Sequence, residues 1–334
     1  MEVRISHSRM KSEFSRILKR YGFTPEKADQ CAGIFMINSL EGVYSHGVNR
    51  FQRFVSNIMD GYVKPDAEPA LVRGTGSFEQ WTGNLGPGPL NASFATGRAM
   101  ELAHKNGIGL VALADTNHWM RGGTYGWQAA RNGYVFIGWT NTEANMPAWG
   151  AKDPRLGNNP LVFAVPYDNK GIVLDFAMSQ FSYGKMEVYK IEGRQLPYPG
   201  GFNSDGELTT DPGGILETRR TLPIGFWKGA GLALILDIIA TALSGGLSTH
   251  EITGLKVEYR LSQVFIAIEA GWLSDLPVID ESVQRIIRDY KDSEPADENA
   301  YIRYPGENIL KTRQENLKNG IPVNETVWNK ILLL

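Results

Sequence analysis

Apolar residues recur at helical spacing through the first sixty positions. Met10, Phe14, Ile17, Leu18 and Tyr21 share one helix face, and Gly22 follows as a stop. Thr24-Pro25-Glu26 is a start signal: a capping hydroxyl, a proline at the first helical position and an acid near the positive helix end. The helix it opens runs to about Leu40. A third covers Asn49 to Asp60, with Phe51, Phe54, Val55, Ile58 and Met59 inward and Gly61 ending it. After Pro65 the pattern changes. Ala92 to Asn106 is helical, with Gly107 as its C-cap. Short apolar runs read as strands: IGLVALA (108–114), YVFIGWTN (134–141), LVFAVP (161–166), GIVLDFA (171–177) and QVFIAIEA (263–270). A long helix follows Lys228; its run GAGLALILDIIATAL (229–243) is short for a typical membrane span and contains Asp237, so it reads as a buried helix of a soluble protein. The tail returns to helices, at Val283, Ile286, Ile287 and Tyr290, then Ile309 to Leu317, then Val327 to Leu332. Packed on the N-terminal helices, it would complete a discontinuous helical domain.

Strands and helices mix without regular alternation, which argues for an α+β core rather than a barrel. The 334 residues suffice for two domains or one large core with a smaller partner. Composition is that of a soluble globular chain, 42% hydrophobic and 21% charged. A net charge of −2 supplies no global basic field for nucleic acid or anionic lipid, so neither is an expected partner. Cys31 is the one cysteine, and its neighbours Ala28, Ala32 and Phe35 mark it as a small buried hydrophobe. It cannot form an internal disulfide, which fits a reducing compartment. The first fourteen residues mix charges and lack the apolar core of a signal peptide, so the expected location is the cytoplasm.

Most familiar motifs are missing. No G-x-G-x-x-G follows a strand, and there is no P-loop, no H-E-x-x-H and no G-x-S-x-G. The five histidines are scattered, so no metal is expected. The nearest glycine cluster, GNLGPGPLN (83–91), carries prolines and has no apparent buried strand before it; it reads as a tight turn entering the Ala92 helix. Three polar clusters remain. GVYSHGVNRF (42–51) places Ser45, His46, Asn49 and Arg50 between two helices, where packed elements can hold a loop while exposing it. NHWMRGGTYGWQAA (117–130) places Asn117, His118 and Arg121 after a strand, and Gly122-Gly123 would let backbone approach a ligand closely. LPIGFWKGAGL (222–232) sets Lys228 at a helix start, suited either to phosphate or to a snorkelling role. For the two loop histidines, structural and functional readings are about equally open on pattern alone.

Together with LGNNPLVFAVP (156–166) and FSYGKMEV (181–188), these segments resemble, in order and over essentially the whole chain, the malate/L-lactate dehydrogenase family of NAD(P)-dependent oxidoreductases. That group has a non-Rossmann cofactor domain, so the missing glycine fingerprint becomes expected. Within it, NHWMRGG, MPAWGAK and GFWKG look like the members that reduce 2,3-diketo-L-gulonate at C2 to 3-dehydro-L-gulonate. The resemblance implies an α/β cofactor domain (71–274) beside a helical domain from both chain ends (1–70 and 275–334). It also implies a homodimer with the active site at the subunit interface, a 2-oxo sugar acid as substrate, and NADH as cofactor, with NADPH open.

By position, His46 matches the family's catalytic acid/base, Arg50 its substrate-side arginine and His118 the histidine of its NH motif, with Ser45 orienting the site. Asn117 joins His118 as a candidate for the substrate's hydroxyls or second carbonyl. For the cofactor, Gly171, Ile172, Val173, Leu174, Asp175, Phe176, Ala177, Trp227, Lys228, Gly306, Glu307 and Asn308 match the contact segments. One departure stands out. In GGFNSDG (200–206) the family often carries an aspartate that supports the acid/base; here Asn203 aligns best, with Asp205 two places on. Other 2-hydroxy acids (malate, lactate, ureidoglycolate, sulfolactate) are the rival substrates. A non-catalytic binding protein on the same fold and a metal-dependent lyase are rivals from other classes.

Overall fold

The computed structural model describes residues 2–168, 170–272, 275–298 and 300–334. In chain order it contains β1 (Glu2–Ile5), α1 (His7–Arg20), α2 (Pro25–Leu40), α3 (Val48–Met59), β2 (Ala70–Thr75), β3 (Phe78–Thr82), α4 (Gly88–Asn106), β4 (Ile108–Thr116), α5 (Gly123–Ala130) and β5 (Tyr134–Thr140). Then come β6 (Met146–Pro147), β7 (Pro154–Leu156), β8 (Leu161–Val165), β9 (Ile172–Phe176), α6 (Tyr183–Ile191), β10 (Gly201–Phe202), β11 (Leu208–Thr209), α7 (Pro212–Thr218) and α8 (Trp227–Ser244). The chain closes with α9 (Thr249–Gly254), β12 (Leu261–Glu269), α10 (Leu276–Lys291), α11 (Glu307–Asn319), β13 (Ile321–Asn324) and α12 (Glu325–Leu332).

The N-terminal helices form where the periodicity places them. Thr24 caps α2 by accepting from the Lys27 N–H, and Pro25 sits in the first turn, where its missing donor costs nothing. Their inward faces meet in a phenylalanine core: Phe14 stacks on Phe51 at 4.0 Å, and Phe35 meets Phe51 edge-on at 5.2 Å. Each such ring contributes about 2–3 kcal/mol through burial. Ile321, Val323, Trp328 and Ile331 from the far end join this core, and β1 pairs antiparallel with β13. Cys31 lies inside it, fully buried, and burial pushes its thiol far up. α10 stands apart: none of its described residues is buried. The domain boundary expected between 274 and 275 lies partly outside the described residues.

The second body is a seven-stranded sheet in the order β2-β3-β4-β12-β5-β8-β9, in which only β3 and β4 run parallel. A doubly wound dinucleotide fold is built from parallel strands, so this topology differs at the root. All five strands expected from apolar runs are present. β3 is not among them, because its buried positions are Glu79 and Gln80. Arg98 clamps the Glu79 carboxylate at 2.6 Å, and the Gln80 amide donates to the Leu243 carbonyl, so polar groups occupy sites that normally betray a strand by being apolar.

Two expectations need correction. GNLGPGPLN does follow a strand, and α4 begins at Gly88 rather than Ala92. Pro89 is tolerated in the first turn, and Gly88 is obligatory because a Cβ there would lie 2.3 Å from the His118 carbonyl oxygen. The second concerns α8, expected to be buried. α4 and α5 cover one sheet face and α8 covers the other through Ala230, Ala233, Leu236 and Ala240. Its outer side, however, leaves Ile235 49% and Ile238 52% exposed. Asp237 accepts from the Asn141 amide and the Thr249 N–H, which ties α8 to the protein around it.

Candidate active site

The loop from α2 to α3 is built by short polar contacts. Glu41 ends α2, and Gly42 turns the chain at φ +83. A 3₁₀ turn, Tyr44–His46, then lays the loop against α2. Gly47 is required there because a Cβ would fall 2.2 Å from Ser39 Oγ. Ser39 Oγ accepts from the Val48 N–H and donates to the Phe35 carbonyl. The fully buried Asn38 donates to the His46 carbonyl and accepts from Thr124 Oγ1. His46 is thereby fixed to α2 and α5 by its own backbone, leaving its ring to be set by Ser45, whose Oγ lies 3.0 Å from Nδ1.

The second histidine arrives from the end of β4. Asn117 is buried, and its amide reaches the carbonyls of Tyr62, Leu85 and Gly86, so it anchors the segment. Met120 sits at φ +67 and donates its N–H to His118 Nδ1 at 3.0 Å. Neutral His118 therefore carries its proton on Nε2. The two imidazoles face each other with centroids 5.8 Å apart and planes at 21°.

Both line a cavity of about 420 Å³, within the usual range for small-ligand sites. It gathers Ser45, His46 and His118 with Val173, Leu174, Asp175, Phe176, Ala177 and Gly306. Met120, Arg121, Gly122, Asn158, Pro160 and Ser182 complete much of the wall. β9 is an edge strand, so its last residues are free to line an opening. Asp175 Oδ2 accepts from the Gly123 N–H at 2.7 Å, placing a carboxylate at the positive end of α5.

The electrostatics around the two rings are positive. Burial, then Arg50, then Arg121 hold His46 down at about 4, so its imidazole is neutral near pH 7. His118 is pushed well below the ordinary histidine range by burial, Arg50 and His46. Arg121 is locked to the buried Glu41 carboxylate. Arg50, by contrast, makes no hydrogen bond or ion pair among the described residues; Glu258, Glu187 and Glu143 act on it only through space. A chain with two neutral imidazoles, a free guanidinium and an apolar-walled cavity can bind a small carboxylate and move a proton.

The comparisons decide the class. The sequence profile of the malate/L-lactate dehydrogenase family matches residues 5–332. The chain belongs to the malate/L-lactate dehydrogenase family. A 2,3-diketo-L-gulonate reductase of Escherichia coli strain K12 is 48% identical over 333 residues, 99% of this chain and 100% of that one. The malate dehydrogenase of Entamoeba histolytica superposes with a TM-score of 0.94 at 25% identity, covering 99% of this chain and 96% of that one. The malate dehydrogenase of Pyrococcus horikoshii gives 0.90 at 27%, over 99% and 94%. The chain is accordingly an oxidoreductase acting on hydroxy or keto acids, and membership brings a nicotinamide cofactor with it.

Family membership does not gather all the expected residues into one pocket. Arg50, one helical turn beyond His46, is outside the cavity wall and acts on both rings by its charge. Gly171 is a turn packed on Ala130, and Ile172 is the strand residue after it. Trp227 and Lys228 are exposed at the start of α8. Glu307 pairs with Lys291, and Asn308 is exposed. Asn117, expected beside substrate, lies outside the cavity wall and acts as a positioning residue, its amide nitrogen taken by three backbone carbonyls. Asn203 and Asp205 lie in the β10–β11 hairpin, where Asn203 Oδ1 accepts from the Glu207 N–H. The group hydrogen-bonded to the His46 ring is Ser45. Arg121, singled out in the 117–130 cluster without a role, is a wall residue; Asn158 and Ser182 were missed because nothing in their spacing sets them apart from loop residues.

Proposed function

We propose that this chain reduces the C2 ketone of 2,3-diketo-L-gulonate to 3-dehydro-L-gulonate with NADH, in the cytoplasm and as a homodimer. The observation that carries the reaction is the facing pair His46 and His118 beside Arg50, which has no hydrogen-bond or ion-pair partner among the described residues. The substrate reading leans on the full-length E. coli relative. The cavity floor fits a nicotinamide cofactor: Gly306, at φ +88, lies so close to β9 that a Cβ would be 3.2 Å from the Val173 carbonyl oxygen and 3.0 Å from Trp127. Only a residue without a side chain leaves that floor open. Val173 to Ala177 and Gly306 would hold the cofactor within the cavity, and Gly171, Ile172, Trp227, Lys228, Glu307 and Asn308 would extend its contacts. When bound, the reduced cofactor supplies hydride to C2.

The remaining steps belong to the protein. Arg50 takes the substrate carboxylate through its planar fork. That carboxylate cancels the charge that holds His46 down, so substrate itself raises the imidazole toward its protonated form. Nδ1–H then donates to Ser45 Oγ, and Nε2–H protonates the C2 oxygen as hydride arrives. His118 keeps its Nε2–H for the second carbonyl or a hydroxyl. In this reading the helical domain comprises residues 1–70 and 275–334 and the α/β cofactor domain residues 71–274. The dimer would use the outer side of α8, where Ile235 and Ile238 stand beside other apolar side chains with no cover in one chain.

The test is steady-state kinetics with 2,3-diketo-L-gulonate and a panel of 2-oxo acids, each with NADH and NADPH. The highest kcat/KM is expected for 2,3-diketo-L-gulonate with NADH. A higher value for oxaloacetate, pyruvate or sulfopyruvate overturns the substrate, and no turnover with any of them overturns the reaction.

A further inference from the structure

A second charged cluster lies behind the cavity wall, joined to it by Arg121. Glu41, 2% exposed, is met by three guanidinium groups: Arg121, Arg313 at 2.9 Å and Arg131 at 3.9 Å. Arg121 is 3% exposed and balances the carboxylate by itself. The other two are 32% and 40% exposed and leave an excess of two positive charges. Arg131 makes no hydrogen bond among the described residues; it stacks over Trp127 at 5.2 Å. Trp127 Nε1 is itself buried without a partner, and Gly306 packs on the same ring. Three cations on one carboxylate repel one another, and a further anion would relieve that repulsion. Burial, Arg313 and Arg121 all weaken the Arg131 proton affinity, with Glu41 opposing them.

The cluster is coupled to the active site by its elements. α5 starts at the cavity wall and ends at Arg131, about 12 Å away at the helical rise. α11 carries Ile309 at the cavity and Arg313 one turn further on. Arg131 also borders a cavity of about 500 Å³ with Tyr167, Pro166 and Ile279. Of its two acids, Asp168 pairs with Lys170, and Asp280 accepts from the Asp168 N–H and from Gln284.

We propose that Arg131 and Arg313 form a subsite for a phosphoryl group, either of the dinucleotide cofactor or of a free phosphate anion. The cofactor source rests on the reductase reading above; the anion chemistry does not. Two guanidinium forks on one carboxylate, of which Arg313 gives Nη1 to Glu41, match the several oxygens of a phosphoryl group better than the single negative charge of a carboxylate.

The experiment is calorimetric titration of inorganic pyrophosphate, and fluorescence titration of NADH, into wild type, Arg131→Leu, Arg313→Leu and the double variant. Wild type is expected to bind pyrophosphate with an affinity that falls as salt rises. The double variant should lose about tenfold or more for pyrophosphate, and Arg131→Lys should keep part of it. Displacement of pyrophosphate by NADH, with NADH weakened in parallel, assigns the phosphoryl group to the cofactor. Simultaneous binding of both assigns it to a free anion. Where the double variant does not fold, Arg131→Leu alone carries the test, because that side chain is 40% exposed. Equal affinity of wild type and variants for both pyrophosphate and NADH overturns the proposal. Wild type that binds pyrophosphate but no nicotinamide nucleotide instead refutes the reductase reading and leaves the anion site standing.

Discussion

Two groups of polar side chains meet at the α2–α3 loop, and they differ in what their hydrogen bonds do. Asn38, Ser39, Asn117 and the Glu41–Arg121 pair are buried, and their polar contacts go to protein. His46, His118 and Arg50 each keep capacity in reserve: one ring nitrogen apiece, and a whole guanidinium. Leaving polar groups unsatisfied costs stability, so a fold that tolerates them beside a fully satisfied scaffold has separated positioning from chemistry. The lesson is that burial and charge do not by themselves mark a working residue; Arg121 is more buried than Arg50, yet its charge is already answered.

Breaking the reserve group should have the largest effect. His46→Ala is expected to lower kcat by about 10²–10⁴-fold, the usual value of a positioned proton donor, with NADH affinity retained. Stopped-flow turnover and NADH titration of the same sample check this; near-normal turnover would move the proton donor elsewhere. The satisfied group should instead respond in stability. Arg121→Leu leaves the buried Glu41 partly uncompensated and should cost about 3 kcal/mol in urea unfolding. A loss under 1 kcal/mol would mean that Arg313 and Arg131 suffice for Glu41.

The contrast also has a pH signature. His46 is held near 4 in the folded protein against an ordinary 6.5, so the unfolded chain takes up its proton first as pH falls. Its stabilising effect is complete above 6.5 and is lost between 6.5 and 4, reaching about 2 kcal/mol by pH 5. His118 acts in the same direction, while Asp175 and Glu258, both raised by burial, act in the opposite one. The measurement is therefore a difference, wild type against His46→Gln at pH 7 and pH 5. A pH-independent difference would show that the His46 ring is solvated. The smallest effect belongs to Arg50→Lys, expected to raise KM for the keto acid about tenfold by removing the fork. An unchanged KM would place the carboxylate elsewhere.

Much of the fold was legible because it follows one-dimensional periodicity. The phenylalanine face of α3 and the apolar runs of β4, β5, β8, β9 and β12 each declare their burial in sequence. β3 was not legible, since Glu79 and Gln80 are buried by partners on α4 and α8 that lie far along the chain. The outer face of α8 was misread for a related reason: an apolar residue shows that it prefers burial, not that its own chain supplies the cover. At the site, the His46 and His118 motifs stood out as polar clusters between packed elements, and the family resemblance separated them from structural loops. Asn117 was ambiguous in sequence because its side chain could face substrate or backbone; in the fold its amide nitrogen goes to the carbonyls of Tyr62, Leu85 and Gly86.

By itself, the sequence determined the family, the strands with apolar cores, the helical ends and the two histidine motifs, because these rest on local spacing and on residue types that keep their order along the chain. Only the tertiary structure decided which polar groups are free. It set the two imidazoles 5.8 Å apart, gave Ser45 to the His46 ring in place of Asn203, and joined Arg121 to Glu41 while leaving Arg50 open. The physical reason is that a hydrogen bond is satisfied or left open by a partner in space, and those partners can lie far away in the chain, 80 residues for Arg121 and Glu41 and 272 for Arg313 and Glu41.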